Sequence, residues 1–588
     1  MKALPALAAA ILLFLSGTVL PAANLPVETA GLKWSLVRIP AAGPEIRALA
    51  VQAGIEIMAA GKDGSLEILT SPSGIQLLRD RGVAFEVLIE DYGRYLYQKN
   101  LAAGRLAAEQ FATGSMGGYF SPPEIHSFID SLRRLDTHGI LSDTVVIGSS
   151  LLGNPVWTVR ISSGPGGQGK PEVFYNSLIH SREGMSLMTL LYFMRFLVEN
   201  YGRADSVTEL VDGRDLYFIP LVNPDGYEIN WQTYQSQSGF GLWRKNGRDN
   251  NGDSVLTIVE DGVDLNRNFD FQWGFDITGS SPFGTDDNYR GTQAFSEPET
   301  RAIRDFIRSK SFVTAINLHS YGPYLLNPFS YANLLTPDSV LYRRLSESLT
   351  LENGYRFGTA VATLTYPANG EFTDWEYADS LARGKIISWT LEIGTVSDGF
   401  WPKPELITPL AVKNLPLMMK LARLSGFWPE VDYLYQKNRS GVPGGYKIGL
   451  RLRNTGLSPN RGGLTVKLEG DSGAFVSLGT SQASASLPAV TELAFELNGS
   501  VSAAPAVIGI YDGDRRVRSL AVSLPLAGRL AYDVNTSGRV DIFDLLALLQ
   551  AISSHYSVGQ AAAAYDLNLD GRIDIFDLLA LLRALNSA

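Results

Sequence analysis

Two histidines and a glutamate are spaced so that they could bind one metal ion. His180 and Glu183 stand three residues apart on a predicted turn, between the apolar run 172–179 and a predicted helix. His319 ends a second apolar run, 313–318. A water-activating zinc site takes three protein ligands and one open position, and two histidines with a glutamate are a common set. The spacing alone is weak support, because His180 could equally be an ordinary hydrogen-bonded residue near a helix start.

Other polar residues could supply the rest of a peptide-hydrolysing site. Such a site needs a general base for the attacking water and a cation for the oxygen that gains charge. Glu392, which follows an apolar run, is a candidate base, and Arg244 is a candidate cation. A free carboxylate is best bound by the forked guanidinium of arginine with amide or hydroxyl support. Asn266, Arg267 and Tyr366 offer these groups.

Seven motifs in chain order make the interpretation more specific. They are HSRE at 180–183, NPDGY at 223–227, WRKN at 243–246, VDLNRNF at 263–269, LHSYG at 318–322, YPANGEFTDW at 366–375 and TLEIG at 390–394. The chain resembles, in these motifs, the zinc metallocarboxypeptidases of the pancreatic A/B type and the bacterial T type. The resemblance implies removal of C-terminal residues from peptides or proteins.

The resemblance also implies roles at the metal centre. His180, Glu183 and His319 would bind one catalytic zinc ion and leave one position for water. Glu392 would be the general base and later the proton donor to the leaving amine, while Arg244 would stabilise the oxyanion.

Substrate-binding roles follow from the same resemblance. Asn266, Arg267 and Tyr366 would bind the terminal carboxylate of the substrate, and Arg182 would contact the peptide further upstream. Arg182 and Asn266 could instead brace neighbouring loops.

Specificity is readable in part. Thr373 matches the base of the side-chain pocket, where an aspartate would indicate strict preference for Lys and Arg. Glu371 matches an acidic position of the broad-specificity bacterial members, although it could also be solvent-exposed. The walls are predicted to include Leu326, Ser330, Val361 and Thr390. We therefore expect a preference for apolar C-terminal residues, with basic ones tolerated.

These residues must be positioned by an α/β fold. Between residues 117 and 427, apolar strand candidates alternate with helical patterns, which predicts a mixed, mostly buried sheet flanked by helices. Functional residues follow the strands, at the edge where sites form in such sheets. The resemblance makes this the zinc carboxypeptidase fold.

The remaining regions differ in pattern. We predict a signal peptide at 1–23, a small α/β pro-segment at 24–116, the catalytic domain at 117–427, a β-sandwich at 428–526 and a small α-helical, calcium-binding dockerin-like domain at 527–588. The pro-segment resembles those of the family, which implies a latent enzyme that matures by cleavage near 101–117.

A repeat near the C-terminus has the oxygen spacing of calcium loops. DVNTSGRVDIFDLLALL at 533–549 recurs 33 positions later as DLNLDGRIDIFDLLALL. Side-chain oxygens stand at positions 1, 3, 5, 9 and 12 and glycine at position 6. The predicted ligands are Asp533, Asn535, Ser537, Asp541 and Asp544, and Asp566, Asn568, Asp570, Asp574 and Asp577. The single helix after each loop resembles dockerins, which implies two Ca²⁺ ions and a cohesin-like partner; decayed loops without calcium are the alternative.

Composition limits the possible functions. The 588 residues carry a formal net charge of −10 without a basic run, which argues against a nucleic-acid partner. The chain has no cysteine, so any zinc must be bound by histidine and carboxylate. The uncharged stretch 3–27 is typical of a signal peptide, although it is nearly long enough for a membrane anchor. We expect a secreted protein without membrane association after signal removal.

Two alternatives stay open from the sequence. A carboxypeptidase of the same fold could trim peptidoglycan peptides. A catalytically silent binding protein could instead be presented by the dockerin, but the intact Glu392 and Arg244 favour an enzyme.

Overall fold

The computed structural model does not describe every residue of the chain. It describes residues 27–28, 34–40, 42–52, 55–60, 64–96, 111, 113–166, 169–237, 239–379, 384–438, 446–459, 464–469, 476–477, 490–497, 504–524, 548 and 581. The predicted signal peptide and all ten predicted calcium ligands lie outside these residues.

The N-terminal region forms a small antiparallel sheet with two helices. Its elements are β1 (Val27–Glu28), β2 (Ser35–Ile39), α1 (Pro44–Gln52), β3 (Glu56–Ala60), β4 (Leu66–Thr70), α2 (Pro72–Asp80) and β5 (Glu86–Ile89). Strands β2 to β5 are ordered β3-β4-β2-β5. The alternation in β2 buries Val37 and Ile39 in a separate apolar cluster, as expected for a sheet with one face covered.

The following region contains a larger sheet and most of the helices. Its strands are β6 (Val145–Ser149), β7 (Pro155–Ile161), β8 (Glu172–Ser177), β9 (Asp215–Ile219), β10 (Leu256–Thr257), β11 (Phe312–His319), β12 (Tyr324–Leu326), β13 (Arg356–Gly358) and β14 (Ile387–Glu392). Its helices are α3 (Pro122–Leu135), α4 (Gly184–Asn200), α5 (Asp205–Gly213), α6 (Pro224–Gln237), α7 (Pro298–Arg308), α8 (Ser339–Thr350), α9 (Ala360–Leu364), α10 (Phe372–Ala378) and α11 (Pro404–Leu424). Proline often stands at the first helical position, where its fixed φ suits the helix and no N–H is needed.

The large sheet is mixed, as predicted. Among the described residues it has eight strands in the order β13-β12-β14-β11-β8-β9-β7-β6. The central strands β14, β11, β8 and β9 are parallel. Strand β7 runs antiparallel to β9 and to β6, and β12 runs antiparallel to β14 but parallel to β13. Helix α4 packs between β8 and α11 on one face, and its apolar residues are buried on nearly all sides. Strands β8 and β9 are buried along nearly their whole length, which explains why they are apolar runs rather than alternating strands.

Two antiparallel sheets follow, as expected for a β-sandwich. Their strands are β15 (Pro429–Asn438), β16 (Tyr446–Asn454), β17 (Leu464–Glu469), β18 (Val476–Ser477), β19 (Val490–Leu497), β20 (Ala504–Asp512) and β21 (Arg515–Leu524). One sheet is ordered β15-β16-β19 and the other β18-β17-β20-β21. Within the part of the chain that the structure describes, no helix is long and apolar enough to cross a membrane.

Candidate active site

Three parallel strands bring the predicted metal ligands and base to one edge of the sheet. Strand β11 lies between β8 and β14, and all three run in the same direction. His180 and Glu183 follow β8, His319 ends β11, and Glu392 ends β14. The register pairs His319 directly with Glu392. Because the carboxyl ends of parallel strands share an edge, residues far apart in sequence meet there.

The three predicted zinc ligands form one compact, buried group. One ligand atom from each of His180, Glu183 and His319 lies within 4.8 Å of the other two. The Glu183 carboxylate is central: Oε1 lies 2.7 Å from Nδ1 of His180, and Oε2 lies 3.1 Å from Nδ1 of His319. All three residues are less than 5% exposed.

The electrostatics of this group favour a bound cation. Burial acts to raise the pKa of Glu183, but His180 and His319 outweigh it and hold the carboxyl charged. Burial acts to lower the pKa of His319, yet Glu183, supported by Glu392 and Glu371, raises it overall. Carboxylates therefore surround the histidines, and a metal ion would compensate this negative charge more fully than one proton.

The residues present fit zinc. Two imidazoles and a carboxylate are a usual ligand set of a catalytic zinc ion. Nε2 of His319 is buried and makes no hydrogen bond among the described residues. Hydrogen bonds within the protein therefore do not use both ring nitrogens of His319. Nε2 of His180 lies 3.3 Å from Oδ1 of Asp264, which would orient the ring as outer-shell carboxylates do in metal sites.

Asp264 connects the metal group to Arg244, and the sequence analysis gave it no role. Its Oδ2 accepts from Nε and Nη2 of Arg244 at 3.1 and 2.9 Å. Burial acts to raise the pKa of Asp264, but Arg244 and His180 hold it well below the usual range. The only available signal was its position two residues before Asn266 inside a recognised motif. Asp264 thus aligns one zinc ligand and the predicted oxyanion cation together.

A cleft of about 340 Å³ lies beside this group and contains most of the predicted site. The predicted site residues along its walls are His180, Glu183, Arg244, Asn266, Arg267, His319, Tyr366, Glu371 and Glu392. A neighbouring hollow is lined by Arg182, Arg244, Arg267 and Tyr366. The structure therefore brings most of the predicted catalytic and substrate-binding residues together, with Arg182 in the neighbouring hollow.

The predicted carboxylate-binding residues are held by their own backbone contacts. Asn266 stands in a short 3₁₀ turn, Leu265–Arg267, which Asp264 caps by accepting from the Asn266 N–H at 2.9 Å. Arg267 Nε donates to the Gly279 carbonyl at 2.9 Å and Nη1 to the Asn266 carbonyl at 2.8 Å. These contacts fix the guanidinium within the cleft wall, which favours binding of a carboxylate in one orientation.

The side-chain pocket differs in two details from the prediction. Glu371 lines the cleft and is only 4% exposed, so it is not the solvent-exposed side chain that the sequence left open. Thr390 also lines the cleft, and Thr373 lies behind it with the two hydroxyl oxygens 2.7 Å apart. Thr373 therefore supports the pocket base without lining the cleft. Leu326 and Ser330 line the wall as expected, and Val361 is not among the lining residues that the structure describes.

Comparisons with known proteins agree with this fold and site. The family described as zinc carboxypeptidase matches residues 125–416, and the type I dockerin domain matches residues 531–586. Carboxypeptidase A1 of Bos taurus is 30% identical over 344 residues, which cover 57% of this chain and 77% of the relative. Carboxypeptidase B of Homo sapiens is 36% identical over 255 residues, covering 42% and 57%.

Solved structures show the same fold. The carboxypeptidase A from Helicoverpa armigera superposes with a TM-score of 0.55 at 24% identity and covers 67% of this chain and 97% of its own. The thrombin-activatable fibrinolysis inhibitor gives a TM-score of 0.53 at 24% identity, covering 66% and 98%.

These similarities define the class of protein as a zinc-dependent peptidase of mixed α/β fold. The chain belongs to the zinc carboxypeptidase family. It is a metallocarboxypeptidase with a catalytic Zn²⁺ and carries a C-terminal type I dockerin domain, a calcium-binding module. The predicted family, fold class and enzyme class are thereby confirmed. The roles of individual residues and the domain boundaries stay predictions.

Proposed function

We propose that this protein is a secreted carboxypeptidase that hydrolyses the C-terminal peptide bond of peptides or proteins. The register of β11 and β14 carries the proposal, because it sets His319 beside Glu392 in the cleft that also contains Arg244 and Arg267. A metal ligand, a base and two cations thereby face one substrate-sized space.

Each residue has a distinct task in the proposed reaction. A zinc ion held by His180, Glu183 and His319 would supply Lewis acidity to the attacking water and the scissile carbonyl. Glu392 removes the proton from the attacking water and delivers it to the leaving amine. Arg244, held by Asp264, donates hydrogen bonds to the oxygen that gains negative charge.

The substrate is oriented by its free carboxylate. Arg267 offers a forked pair of N–H groups, and Asn266 and Tyr366 add an amide and a hydroxyl in the same cleft. Arg182 lies in the adjoining hollow and would contact the chain upstream of the scissile bond. A substrate with an amidated C-terminus would lose the charge that this group of residues selects.

Hydrolysis of a blocked dipeptide ending in Phe or Leu tests the proposal. We expect chelator-sensitive release of the free amino acid after limited proteolysis, and a fall in kcat of at least about 1,000-fold in Glu392→Gln with zinc retained. Glu347→Gln is a matched control, because that carboxylate is exposed and pairs with Arg343 far along α8. Absence of release from the proteolysed, zinc-loaded wild type would contradict the proposal and favour cell-wall peptides or a silent binding protein.

Latency is the second part of the proposal. Ile57 and Met58, on β3 of the N-terminal unit, line the same cleft as the metal ligands, and Met58 contacts the Tyr321 hydroxyl. Trp34 lies over the Arg182 guanidinium at 5.7 Å from ring centroid to Cζ. We infer that the pro-segment blocks substrate until the chain is cut between residues 101 and 117. N-terminal sequencing of the active secreted form checks this, since an intact start near residue 24 would contradict it.

The dockerin is proposed to bind a cohesin-like partner. Both loops have calcium spacing, so we expect two bound Ca²⁺ ions and cohesin binding that is lost when calcium is chelated. Pull-down of the full chain on an immobilised type I cohesin, with calcium and with EGTA, tests it. The double variant Asp533→Ala, Asp566→Ala should fail to bind. Binding that survives both EGTA and the double substitution would refute the calcium dependence.

A further inference from the structure

A buried glutamate outside the cleft, Glu297, bonds to the loop of Arg244 through its carboxylate and to the loop of Arg267 through its backbone N–H. Glu297 is fully buried and stands at the N-cap position of α7. A side chain at this position usually accepts a hydrogen bond from the first turn of its own helix. The Glu297 carboxylate makes no such bond. It turns instead toward the loops that contain Arg244 and Arg267.

The first contact is with the loop of Arg244. Oε2 of Glu297 accepts from Nδ2 of Asn246 at 2.8 Å, and Nε of Arg248 lies 3.0 and 2.8 Å from Oε1 and Oε2. Asn246 also exchanges hydrogen bonds with the Val263 backbone, accepting at Oδ1 and donating from its own N–H. Glu297 therefore holds this loop at two points, two and four residues beyond Arg244.

The second contact is with the loop of Arg267. The Glu297 backbone N–H donates to Oδ1 of Asn268, the residue after Arg267, at 3.2 Å. Nδ2 of Asn268 donates to Ser296 Oγ at 2.8 Å, and that hydroxyl donates to Oε1 of Glu297 at 2.7 Å. Asn268 is fully buried as well. One residue thus joins the two loops through a closed set of hydrogen bonds.

A buried carboxylate is costly unless every acceptor site is used, and here each oxygen has a charged or polar donor. An apolar side chain could fill the same volume, but it could not hold Asn246 and Arg248 in fixed positions. A displacement of about 1 Å in a substrate-positioning group can reduce the rate by about 100-fold.

We propose that Glu297 is a positioning residue that sets the distance between the oxyanion cation Arg244 and the carboxylate-binding Arg267. The inference rests on the roles proposed above for these two arginines. Glu297 itself does not touch the substrate. Loss of its carboxylate should lower kcat through Asn246, Arg248 and Arg244, and raise KM through Ser296, Asn268 and Arg267. The predicted zinc ligands that follow β8 and end β11 should stay in place.

The test uses the full chain after the limited proteolysis that activates the wild type. Glu297→Ala should lower kcat/KM on a blocked dipeptide by about 100-fold, and Glu297→Gln, which keeps one acceptor oxygen, by about tenfold. Zinc content should stay at the wild-type level. Glu347→Gln, an exposed carboxylate, is the matched control and should not change either constant.

A double-mutant cycle separates positioning from general destabilisation. If Glu297 acts through Arg244, adding Glu297→Ala to Arg244→Ala should change kcat by less than about threefold. If Glu297→Ala does not fold, the Glu297→Gln pair gives the same cycle. The proposal would be overturned if the losses of kcat from the two substitutions multiply fully in the double variant. It would also be overturned if Glu297→Ala and Glu297→Gln both lose zinc, or if both keep the wild-type kcat/KM. An inactive wild type would refute the proposed function instead, so the two failures are distinguishable.

Discussion

At the scale of single residues, the environment decides what each buried acid does. Asp264 is kept charged by Arg244 and His180, so it can orient both. At Glu299, by contrast, burial, and then the negative charge of Asp225, raises the pKa to about 8. A buried carboxyl group is therefore ionised at Asp264, where it orients its neighbours, and protonated up to about pH 8 at Glu299.

Glu299 makes stability depend on pH. Its folded-state pKa of about 8 lies above the ordinary value of 4.5, so the folded protein binds the extra proton between these values. Its contribution is complete below about pH 4.5 and is lost as pH rises toward 8, by up to about 1.4 kcal/mol per pH unit. Glu299→Gln should flatten this part of the profile, measured by urea unfolding between pH 5 and 9. An unchanged slope would show that Glu299 is already ionised.

Glu371 should determine tolerance for basic residues. It is buried at the cleft wall, where Oε1 accepts from the Thr390 hydroxyl at 3.2 Å and Oε2 from the Asp374 N–H at 3.0 Å. Glu371→Gln removes the charge and keeps one acceptor oxygen for the Asp374 N–H, while the Thr390 hydroxyl can accept from the new amide N–H. We expect release of C-terminal Arg to fall about tenfold and release of Leu to change little, because one tenfold factor is about 1.4 kcal/mol of charge interaction. Comparing Leu, Arg and Glu substrates checks this, and equal losses for Leu and Arg, or fastest release of Glu, would contradict it.

At the scale of secondary structure, a short strand of the N-terminal unit occupies the cleft. Met58 on β3 is only 5% exposed and belongs to the main apolar core together with Trp34, Tyr92 and Leu96 of the same unit. The N-terminal unit thus contributes side chains to the core of the large sheet region. Its hold on the cleft depends on apolar contact and on the stacking of Trp34 with Arg182.

Met58→Ala should weaken latency. Removing a buried methionine side chain costs about 2–5 kcal/mol, and part of that cost falls on the contact between β3 and the cleft. Activity of the uncleaved protein should rise at least about tenfold, while activity after proteolysis stays the same. Val87→Ala, on the partly exposed strand β5, serves as the control. Equal basal activity in both variants would show that Met58 does not contribute to the block.

At the scale of the whole molecule, the two antiparallel sheets of the predicted β-sandwich contact the predicted catalytic region at two places. Arg516 on β21 lies 2.9 Å from Asp205 and 3.1 Å from Glu209 on α5. At the end of α11, the Leu457 N–H donates to the Leu424 carbonyl at 2.7 Å and Ser458 Oγ donates to the Ser425 carbonyl at 2.7 Å. These contacts indicate a docked module rather than a loosely tethered spacer.

Charge reversal tests this docking. Arg516→Glu would place a third carboxylate beside Asp205 and the largely buried Glu209, so the catalytic region should unfold a few degrees lower. Adding Asp205→Lys and Glu209→Lys should restore much of the loss. Differential scanning calorimetry of the full chain measures the unfolding temperature. Arg343→Glu, at an exposed position of α8, is the control. If Arg516→Glu and the control behave alike, the ion pairs do not couple the two regions.

The local elements could largely be predicted from the sequence, because each has a local cause. The predicted helix after Glu183 is α4, and the apolar runs 172–179 and 313–318 contain the buried parallel strands β8 and β11. The N-terminal unit was predicted less completely. Helix α1 and strands β3 and β4 were not predicted; β4 pairs with β2, β3 pairs with β4, and their apolar residues join the cluster that β2 helps to form.

Residue identity and motif order were enough to predict the family and the candidate ligands, base and arginines. Which of these groups touch depends on the tertiary structure. Thr373 lies behind Thr390, Asp264 joins His180 to Arg244, and Glu297 turns from its own helix to two distant loops. These contacts cannot be predicted from spacing along the chain. They depend on strand order and on side-chain directions, which are set when the sheet and its loops pack together.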